Sequence, residues 1–360
     1  MINVLGLALY GPLAASHRVR LANYRAGLLQ LGINLEVHSL LGDDYLINRF
    51  SNKSTSVFSL LDAYRSRLRL LAGQKRYDAA IVHCELLPIF PYFLERGFLS
   101  IPYIYDFDDA FYLRYRTGKL RALQFLLGEK FDSVIAGAAA VTAGNNNLAQ
   151  YAQKFNSNTI VLPSVVDTEV YTPRRAKKSG VFTIGWVGSS TTAPYLKQLI
   201  SPLKRLGGIY PVRFVVVGGR APVIDNVEVV EIPWCEGTEV EIINSFDVGV
   251  MPLPDDEWAK GKCAFKLIQY MACGIPVVAS RVGANIDVVS TDAGFLASTD
   301  DEWFNSLDEL RCNTEKRNSM GVFARKKVES NYSLVGNLPR LVEVIKNVLG
   351  RHDGRYLGGE

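Results

Sequence analysis

The chain has 360 residues, a length at which two domains of ordinary size are expected rather than a single core. With 48% hydrophobic and 21% charged residues, the composition excludes an intrinsically disordered chain, and the net charge of +4 is modest. No apolar run reaches the roughly 20 residues that a membrane-spanning helix needs. The five cysteines and four histidines show no metal-ligand spacing, so reduced thiols, a cytoplasmic location and no metal ion are expected.

Short apolar segments alternate with amphipathic segments along the first half of the chain. Strands are predicted at 2–9, 34–39, 79–83, 103–106, 139–143 and 159–162. Helices are predicted at 19–31, 57–71, 88–96, 120–131 and 145–154. The first strand lacks a basic segment and a small-residue cleavage site, so a signal peptide is not predicted. This alternation is typical of a parallel sheet with helices on both faces.

The pattern breaks around residues 163–178, where prolines and a basic run indicate a linker, and then restarts. Strands are predicted at 182–187, 212–217, 227–232, 248–252 and 276–280, and helices at 194–206, 239–244 and 265–273. Two tandem doubly wound, Rossmann-like α/β domains with an interdomain cleft are therefore predicted. The predicted parts are residues 1–165, residues 174–330, and a C-terminal helix at 331–350 that packs back towards the first domain. Ligands of such sheets bind beyond the carboxyl ends of the strands.

The loop after the first strand carries Gly11, which permits close approach of a ligand to the backbone, and the cations Arg18 and Arg20. Ser16 is expected to cap the helix that follows. Because the loop has no GxGxxG pattern, a dinucleotide-binding site is not predicted. A plain turn and a loop on the acceptor side of a substrate site are both open.

Three carboxylates, Asp106, Asp108 and Asp109, follow another predicted strand. Acids at such a position are costly unless they are hydrogen-bonded, cap a helix or serve a function. We expect Asp108 and Asp109 to act in catalysis through proton handling, and Asp106 to lie on the acceptor side. A metal site at these acids is an alternative, although no second cluster of ligands is seen to converge on them.

Two loops of the second domain have the features of a phosphate site. Gly188 is followed by four hydroxyl residues that can donate to phosphate oxygens or cap the next helix, with Pro194 near its first turn: Ser189, Ser190, Thr191 and Thr192. The helix predicted to begin at Phe265 directs its first N–H groups, reinforced by Lys266, at whatever lies in front of the sheet. A phosphate is the expected ligand.

The stretch Ala264–Ser280, followed by Val282 and Gly283, resembles the signature of retaining glycosyltransferase family 4, a group with the GT-B architecture. The segments Leu162–Pro173 and Phe246–Pro254 are similar to two further segments of that family. The resemblance covers the second domain well and the first only by architecture. It implies a retaining glycosyltransferase of polysaccharide biosynthesis, with a nucleoside diphosphate sugar as co-substrate, no cofactor, and a glycan or lipid-linked glycan as acceptor.

The resemblance places the donor on the second domain, and Lys266 would stabilise charge on the leaving diphosphate. The residues expected to bind the donor are Gly188, Ser189, Ser190, Thr191, Trp234, Ala264, Phe265, Lys266, Leu267 and Gln269. The hydroxyl run at 189–192 stands where the family has an Arg and Lys pair. The family histidine of the first domain has no predicted counterpart, and Asp108 and Asp109 lie near its place.

The family motif is framed by two glutamates, where this chain has Gly261 and Gln269. Gln269 can still hydrogen-bond a ribose, but as a neutral amide it forms no charge-assisted bond. Another acid would have to hold the donor sugar, and the candidates are Asp255, Asp256 and Glu257. Three other functions stay open: a nucleotide-sugar epimerase, a non-catalytic nucleotide-sugar-binding protein and a dinucleotide-dependent oxidoreductase.

Two basic clusters bear on the partners of the protein, and their members are Arg65, Arg67, Arg69, Lys75 and Arg76, and Arg114, Arg116, Lys119 and Arg121. They are either solvated helix faces or surfaces that attract anionic lipid or an anionic acceptor. Peripheral contact with the inner membrane face is therefore an open alternative. Nucleic acid is not expected, because no binding motif accompanies the charge.

Overall fold

The computed structural model describes residues 1–51, 53–174 and 180–352. It divides into two compact units, of which unit 1 contains Met1–Ser164 and the chain from Asn337 onward, and unit 2 contains Val165–Gly336. The basic run predicted to end the linker lies outside the described residues apart from Arg174. Among the described residues, no helix has both the length and the apolar content required to cross a bilayer.

The described part of unit 1 contains a parallel sheet of six strands in the order β2-β1-β3-β4-β5-β6. The strands are β1 (Ile2–Tyr10), β2 (Ile33–Leu41), β3 (Ala79–His83), β4 (Tyr103–Phe107), β5 (Ala140–Ala143) and β6 (Thr159–Val161). All six predicted strands are confirmed to within two residues at each end. Strand order reverses beside β1, where Val4 lies opposite Leu35 of β2 and Ala79 of β3. The carboxyl ends of β1 and β3 therefore form the switch point at which ligands of such sheets bind.

The helices within residues 1–164 of unit 1 are α1 (Ala15–Arg20), α2 (Arg25–Gln30), α3 (Asp43–Phe50), α4 (Val57–Ala72), α5 (Tyr92–Phe98), α6 (Gln124–Leu127), α7 (Lys130–Gly137) and α8 (Asn146–Gln153). The single helix predicted at 19–31 is wrong, because Leu21, with φ −129° and ψ −61°, interrupts the helical hydrogen bonds between α1 and α2. Ser16 lies inside α1 and does not cap it. The helix predicted at 120–131 is a 3₁₀ turn followed by α6 and α7, which Gly128 separates, a residue of low helix propensity.

Unit 2 contains a second parallel sheet, in the order β12-β11-β10-β7-β8-β9. Its strands are β7 (Phe182–Val187), β8 (Val212–Val217), β9 (Glu228–Ile232), β10 (Val248–Met251), β11 (Val277–Ser280) and β12 (Gly294–Ala297). The first five were predicted and β12 was not. Here the order reverses between β7 and β10, so the loops that follow these two strands lie at the switch point.

The next helices along the chain are α9 (Ile200–Gly207), α10 (Glu236–Asn244), α11 (Glu257–Lys260), α12 (Phe265–Ala272), α13 (Ala284–Val288), α14 (Asp300–Cys312), α15 (Thr314–Asn331) and α16 (Leu334–His352). The predicted helix at 194–206 begins as a 3₁₀ helix, Ala193–Leu199, with Pro194 in its first turn as predicted. One face of the sheet packs on α9 and α14, and the other on α12, α13 and α15. Two doubly wound α/β units confirm the predicted fold class.

The segment predicted as an interdomain connection is bound within unit 2. Arg325 donates from Nη2 to the carbonyl oxygen of Thr168 at 2.8 Å and from Nη1 to that of Ala272 at 2.7 Å. Val166 forms a bridge with Ser333, and Pro173 packs beside Gly274. Residues 166–173 are thus bound to α12 and α15. Further along α16, Arg340, which belongs to unit 1, donates to the carbonyl oxygen of Val161 of the same unit at 2.5 Å.

Candidate functional site

A buried ion pair organises the carboxyl end of the unit 1 sheet. Arg20, at the end of α1, contacts Asp106 of β4 with Nη2 at 2.5 Å from Oδ1 and Nε at 3.1 Å from Oδ2. Thr142 of β5 donates to the same carboxylate at 2.6 Å. Although burial opposes ionisation, the charge of Arg20 and the hydrogen bonds from His83 and Arg20 hold the pKa of Asp106 well below its usual range. Arg20 and Asp106, two of the four residues predicted on the acceptor side, are buried and contact neighbouring protein groups.

The group that they support most directly is His83, the last residue of β3. Its Nδ1 lies 2.7 Å from Asp106 Oδ2, and because an ionised carboxylate only accepts, Nδ1 carries the proton. The other ring nitrogen, Nε2, then faces Cys84 Sγ at 3.2 Å and Asp108 Oδ1 at 3.9 Å. The sequence analysis found no counterpart of the family histidine, but the fold places His83 beside the predicted catalytic acid Asp108.

Asp108 and Cys84 complete this group. Burial, together with the nearby charge of Asp109, raises the pKa of Asp108, and Asp108 keeps a partly exposed side chain. Burial also raises the pKa of the Cys84 thiol, which can donate to His83. Cys84 has φ +67°, a strained value of the kind that clusters at functional sites.

Among the described residues, one group of side chains could hold a metal ion: His83, Cys84 and Asp108, whose ligand atoms lie within 4.8 Å of one another. The expectation that no second cluster converges on the acidic segment was therefore wrong, because β3 and β4 are neighbours in the sheet. The contact between Cys84 and His83 also has the length of a thiol hydrogen bond, so the geometry does not require a metal.

The loop after β1 is bound to its own unit. A Cβ on Gly11 would lie 2.4 Å from Asp43 Oδ1, so the glycine is needed for packing against the start of α3. Arg18 donates from Nη1 to the carbonyl oxygens of Pro12 and Leu13, at 2.6 and 3.2 Å. Gly11 and Arg18, the other two residues predicted on the acceptor side, thus shape the loop at the switch point.

Beneath this edge lies a buried charge cluster that sequence reasoning missed. Lys130 Nζ of α7 lies 2.7 Å from Glu85 Oε1 and 2.8 Å from Glu95 Oε1 of α5, and all three side chains are buried. Burial raises the pKa of Glu95 to about 7, although Lys130 acts in the opposite direction. The cluster anchors the loop between β3 and α5 at its base.

In unit 2, the loop after β7 (residues 188–192, the Gly188 loop), Trp186 and α12 converge. Lys266 Nζ lies 5.4 Å from the ring centroid of Trp186, within the range of a cation–π contact. A Cβ on Gly188 would lie 2.3 Å from ring atoms of Trp186 and 2.9 Å from Lys266 Cε. Only glycine therefore lets the loop backbone pass between the indole ring and the lysine.

The hydroxyl groups of the Gly188 loop are hydrogen-bonded within the loop. Ser189 Oγ and Thr191 Oγ1 are 2.8 Å apart, and Thr192 Oγ1 accepts from the Ser189 amide at 3.3 Å. Ser190 and Thr191 are exposed, and Gly188 and Ser189 are partly buried. The loop thus presents hydroxyl groups at the switch point of the sheet.

Ala264 precedes α12 in a left-handed conformation, with φ +53° and ψ +24°. As an alanine, this N-cap residue makes no side-chain hydrogen bond to the first turn of the helix. Phe265 and Lys266 are partly exposed at its first turn, whereas Leu267 is fully buried and packs in the core. Ala264, in this strained conformation, stands at the start of α12, where the sequence predicts an anion site.

Gln269 is held by a carboxylate that the sequence analysis did not single out. Its Nε2 donates to Glu239 Oε2 at 2.9 Å and to Tyr171 Oη at 3.0 Å. Glu239, on α10, also accepts from Trp234 Nε1 at 2.7 Å and from the Tyr171 hydroxyl. Trp234, a predicted donor-binding residue, is therefore connected to Gln269 through one buried acid.

The acids proposed to replace the missing family glutamate have partners inside the loop after β10. Asp256 caps α11 by accepting from the Ala259 amide at 2.7 Å. Asp255 and Glu257 lie 3.5 and 2.9 Å from Lys260 Nζ. Gly261 ends α11, so the place of the first family glutamate lies between these acids and α12.

The basic clusters are less uniform than the sequence indicated. Arg67 is buried, donates to the carbonyl oxygens of Ala8 and His38, and has its pKa lowered to about 10 by burial. Arg114 and Arg116 pair with Glu85 and Asp132. The members of the two basic clusters that are exposed are Arg65, Arg69, Lys75, Arg76, Lys119 and Arg121.

Comparison with known proteins agrees with this geometry. Residues 181–312, which contain the β7 loop and α12, match the family model described as glycosyl transferases group 1. No curated protein sequence matches the chain.

Solved structures match over nearly the whole chain at low sequence identity. The sucrose-phosphate synthase of Thermosynechococcus elongatus has a TM-score of 0.71 at 12% identity, covering 98% of this chain and all of the other. A glycosyltransferase of Rickettsia africae has a TM-score of 0.67 at 14% identity, covering 97% of this chain and 98% of the other. HepE of Anabaena, solved with UDP-glucose, has a TM-score of 0.67 at 16% identity, covering 96% of this chain and all of the other. The fold is that of the GT-B glycosyltransferases, and the comparisons together support a GT-B glycosyltransferase.

Proposed function

We propose that this protein is a retaining glycosyltransferase that moves a sugar from a nucleoside diphosphate sugar to an acceptor. The observation that carries the proposal is the convergence of Lys266, the first turn of α12 and the Gly188 loop at the switch point of unit 2. Similarity to HepE, which was solved with UDP-glucose, supports a nucleotide-sugar donor.

The chemical role of this arrangement is to stabilise the leaving group. Negative charge develops on the diphosphate as the bond to the sugar breaks, and fixed donors stabilise it where it forms. The amides at the start of α12 and Lys266 supply the positive potential, and Ser189, Ser190 and Thr191 donate from the other side. These groups provide the charge for which other transferases use a metal ion, so we propose turnover without a metal or other cofactor.

The acceptor is assigned to unit 1. Asp108, whose pKa is raised, would take the proton of the acceptor hydroxyl, and His83 and Asp109 lie beside it. Arg20 and Asp106 fix the tautomer of His83. They therefore act through the histidine rather than on the acceptor.

The surface of unit 1 is consistent with a lipid-linked glycan as acceptor. Phe58 and Phe125 are 84% and 88% exposed, and exposed cations lie near them in the chain, Arg65 and Arg69 after Phe58, and Lys119 and Arg121 before Phe125. Apolar side chains with nearby cations suit peripheral contact with anionic lipid. None of the five cysteines, all within the described residues, forms a disulfide, which supports a cytoplasmic location.

The direct test is incubation of the protein with UDP-, GDP- and ADP-sugars, with and without lipid-linked acceptors, followed by mass spectrometry of the products and proton NMR of their sugar configuration. Transfer with retained anomeric configuration supports the proposal. A non-catalytic binding protein is the second candidate, favoured by the absence of a glutamate at positions 261 and 269. It would bind a nucleotide sugar without releasing the diphosphate, whereas an epimerase would return a changed sugar still attached to the nucleotide.

A further inference from the structure

Glu239 and Gln269 share one buried hydrogen-bond network, in which both side chains are 4% exposed. Glu239 accepts from Trp234 Nε1 at 2.7 Å, from Gln269 Nε2 at 2.9 Å and from the hydroxyl of Tyr171. The four residues come from the segment before β7, the loop after β9, α10 and α12. A carboxylate at the centre of such a network is stable because donors surround it.

This network decides which way the amide of Gln269 points. An ionised carboxylate can only accept hydrogen bonds, so the NH2 group of Gln269 must face Glu239 and Tyr171. The amide oxygen, Oε1, is then the polar atom of Gln269 that can meet a ligand, and it can only accept. Gln269 lies three residues after Lys266 on α12, and residues at that spacing share one helix face.

We infer that Glu239 is a positioning residue for the donor, which orients Gln269 so that Oε1 accepts from a hydroxyl of the bound nucleotide sugar. The inference rests on the proposed function. The family signature has a glutamate at the position of Gln269 on α12. In this chain that position is an amide, and the nearby carboxylate is Glu239 on α10. Trp234 is held by the same carboxylate, so its ring orientation depends on Glu239 as well.

The inference predicts that restoring the family glutamate at position 269 weakens binding, contrary to what the sequence resemblance alone would suggest. Replacing Gln269 by glutamate brings the residue closer to the family signature, yet it places a second carboxylate about 3 Å from Glu239. Two carboxylates at that distance cannot both ionise without a large cost. Q269E should therefore bind nucleoside diphosphate more weakly than the natural protein.

The reversed pair, E239Q/Q269E, satisfies the same network with the polarity exchanged. The amide oxygen at position 239 accepts from Trp234, and its NH2 group donates to the carboxylate at position 269 and to the Tyr171 oxygen. The Tyr171 hydroxyl in turn donates to the carboxylate at position 269. In E239Q alone the two amides compete, and Gln269 turns its NH2 group away from position 239. A readout that recovers only when both changes are present separates positioning from loss of packing.

The experiment measures UDP, GDP and ADP binding by calorimetry, and the thermal midpoint without nucleotide, for the natural protein, E239Q, Q269E and E239Q/Q269E. E241Q, an exposed change on the same helix, is the matched control. We expect at least tenfold weaker diphosphate binding in Q269E, at least fivefold in E239Q, recovery to within threefold in the double variant, and no change in E241Q. Unchanged binding in Q269E, or no recovery in a folded double variant, overturns the inference alone. Failure of the natural protein to bind any of the three diphosphates overturns the proposed function together with the inference.

Discussion

Lys266 Nζ lies 5.4 Å from the ring centroid of Trp186, so the first turn of α12 and the end of β7 are joined by a cation–π contact. The indole ring fixes the direction of the ammonium group without neutralising it, because the ring quadrupole attracts a cation but carries no net charge. A diphosphate at the start of α12 would meet an oriented positive charge.

Lys266→Ala is therefore expected to weaken diphosphate binding by about 1.5–3 kcal/mol, the range of a charge-assisted hydrogen bond. Calorimetry with the diphosphate product measures this change. Lys204→Ala, an exposed lysine of the same unit paired with Asp225, is the control and should bind like the natural protein. Equal affinity in the two variants contradicts the role assigned to Lys266.

Gly188→Ala tests the close passage of the β7 loop. A methyl group there would lie 2.3 Å from the Trp186 ring, so the loop or the ring must shift. We expect diphosphate affinity to fall at least tenfold in calorimetry, because the hydroxyl groups of the Gly188 loop move with the backbone. Gly42→Ala, at a site with no heavy atom within 4 Å of the new methyl group, is the control for the added side chain. An alanine variant with unchanged affinity would show that the loop does not contact the donor.

Asp108→Asn removes the proposed proton acceptor while keeping the size of the side chain. The expected result is a fall in kcat of about 10²–10⁴, with diphosphate affinity within twofold of the natural protein. Steady-state kinetics and calorimetry separate the two effects. Loss of affinity with unchanged kcat would place Asp108 outside the chemical step.

Asp106→Asn tests the buried ion pair with Arg20. Leaving one buried partner without the other is expected to lower the free energy of unfolding by about 3–5 kcal/mol near neutral pH, as measured by urea denaturation. Because the folded-state pKa of Asp106 is depressed, its contribution is complete above about pH 4, the unfolded value, and is lost as the pH falls further. The difference between natural protein and variant should therefore shrink below pH 4. A difference that grows with acidity contradicts the depressed pKa.

The buried carboxyl of Glu95 should make the free energy of unfolding depend on pH with the opposite sign. Its folded pKa of about 7 exceeds the unfolded value of about 4.3, so between these limits the folded chain holds more protons than the unfolded chain. Stability is thus greatest at the acidic end of this window and falls as the pH rises to 7, by up to about 3 kcal/mol from this group. Glu95→Gln should remove that slope from urea denaturation curves measured at pH 5, 6 and 7. Glu241→Gln should retain it.

The strands could be predicted because each is a short apolar run with turn residues on both sides, and eleven of the twelve described strands were predicted in this way. β12 begins with Gly294 and lies directly before α14, so its apolar residues were not separated from that helix. The break between α1 and α2 could not be predicted, because it depends on tertiary packing. Arg20 and Tyr24, on either side of Leu21, are both buried.

The site could be predicted where it depends on local chain geometry and not where it depends on tertiary pairing. Gly188, Ser189 and Lys266 follow strands or begin a helix, which is visible in the sequence. Gln269, in contrast, meets Tyr171 across 98 residues and Glu239 across 30. His83 offered one usable signal, a polar residue at the end of a buried strand, but only the strand order brings it to Asp106.

We propose that the convergence of the Gly188 loop, Lys266 and α12 serves sugar transfer rather than nucleotide binding alone. The most direct measurement is release of nucleoside diphosphate from UDP-, GDP- and ADP-sugars by the natural protein and by Lys266→Ala. We expect slow release from at least one donor without acceptor, faster release when an acceptor is present, and a large reduction in the lysine variant. Tight donor binding with no diphosphate release under any of these conditions would contradict it.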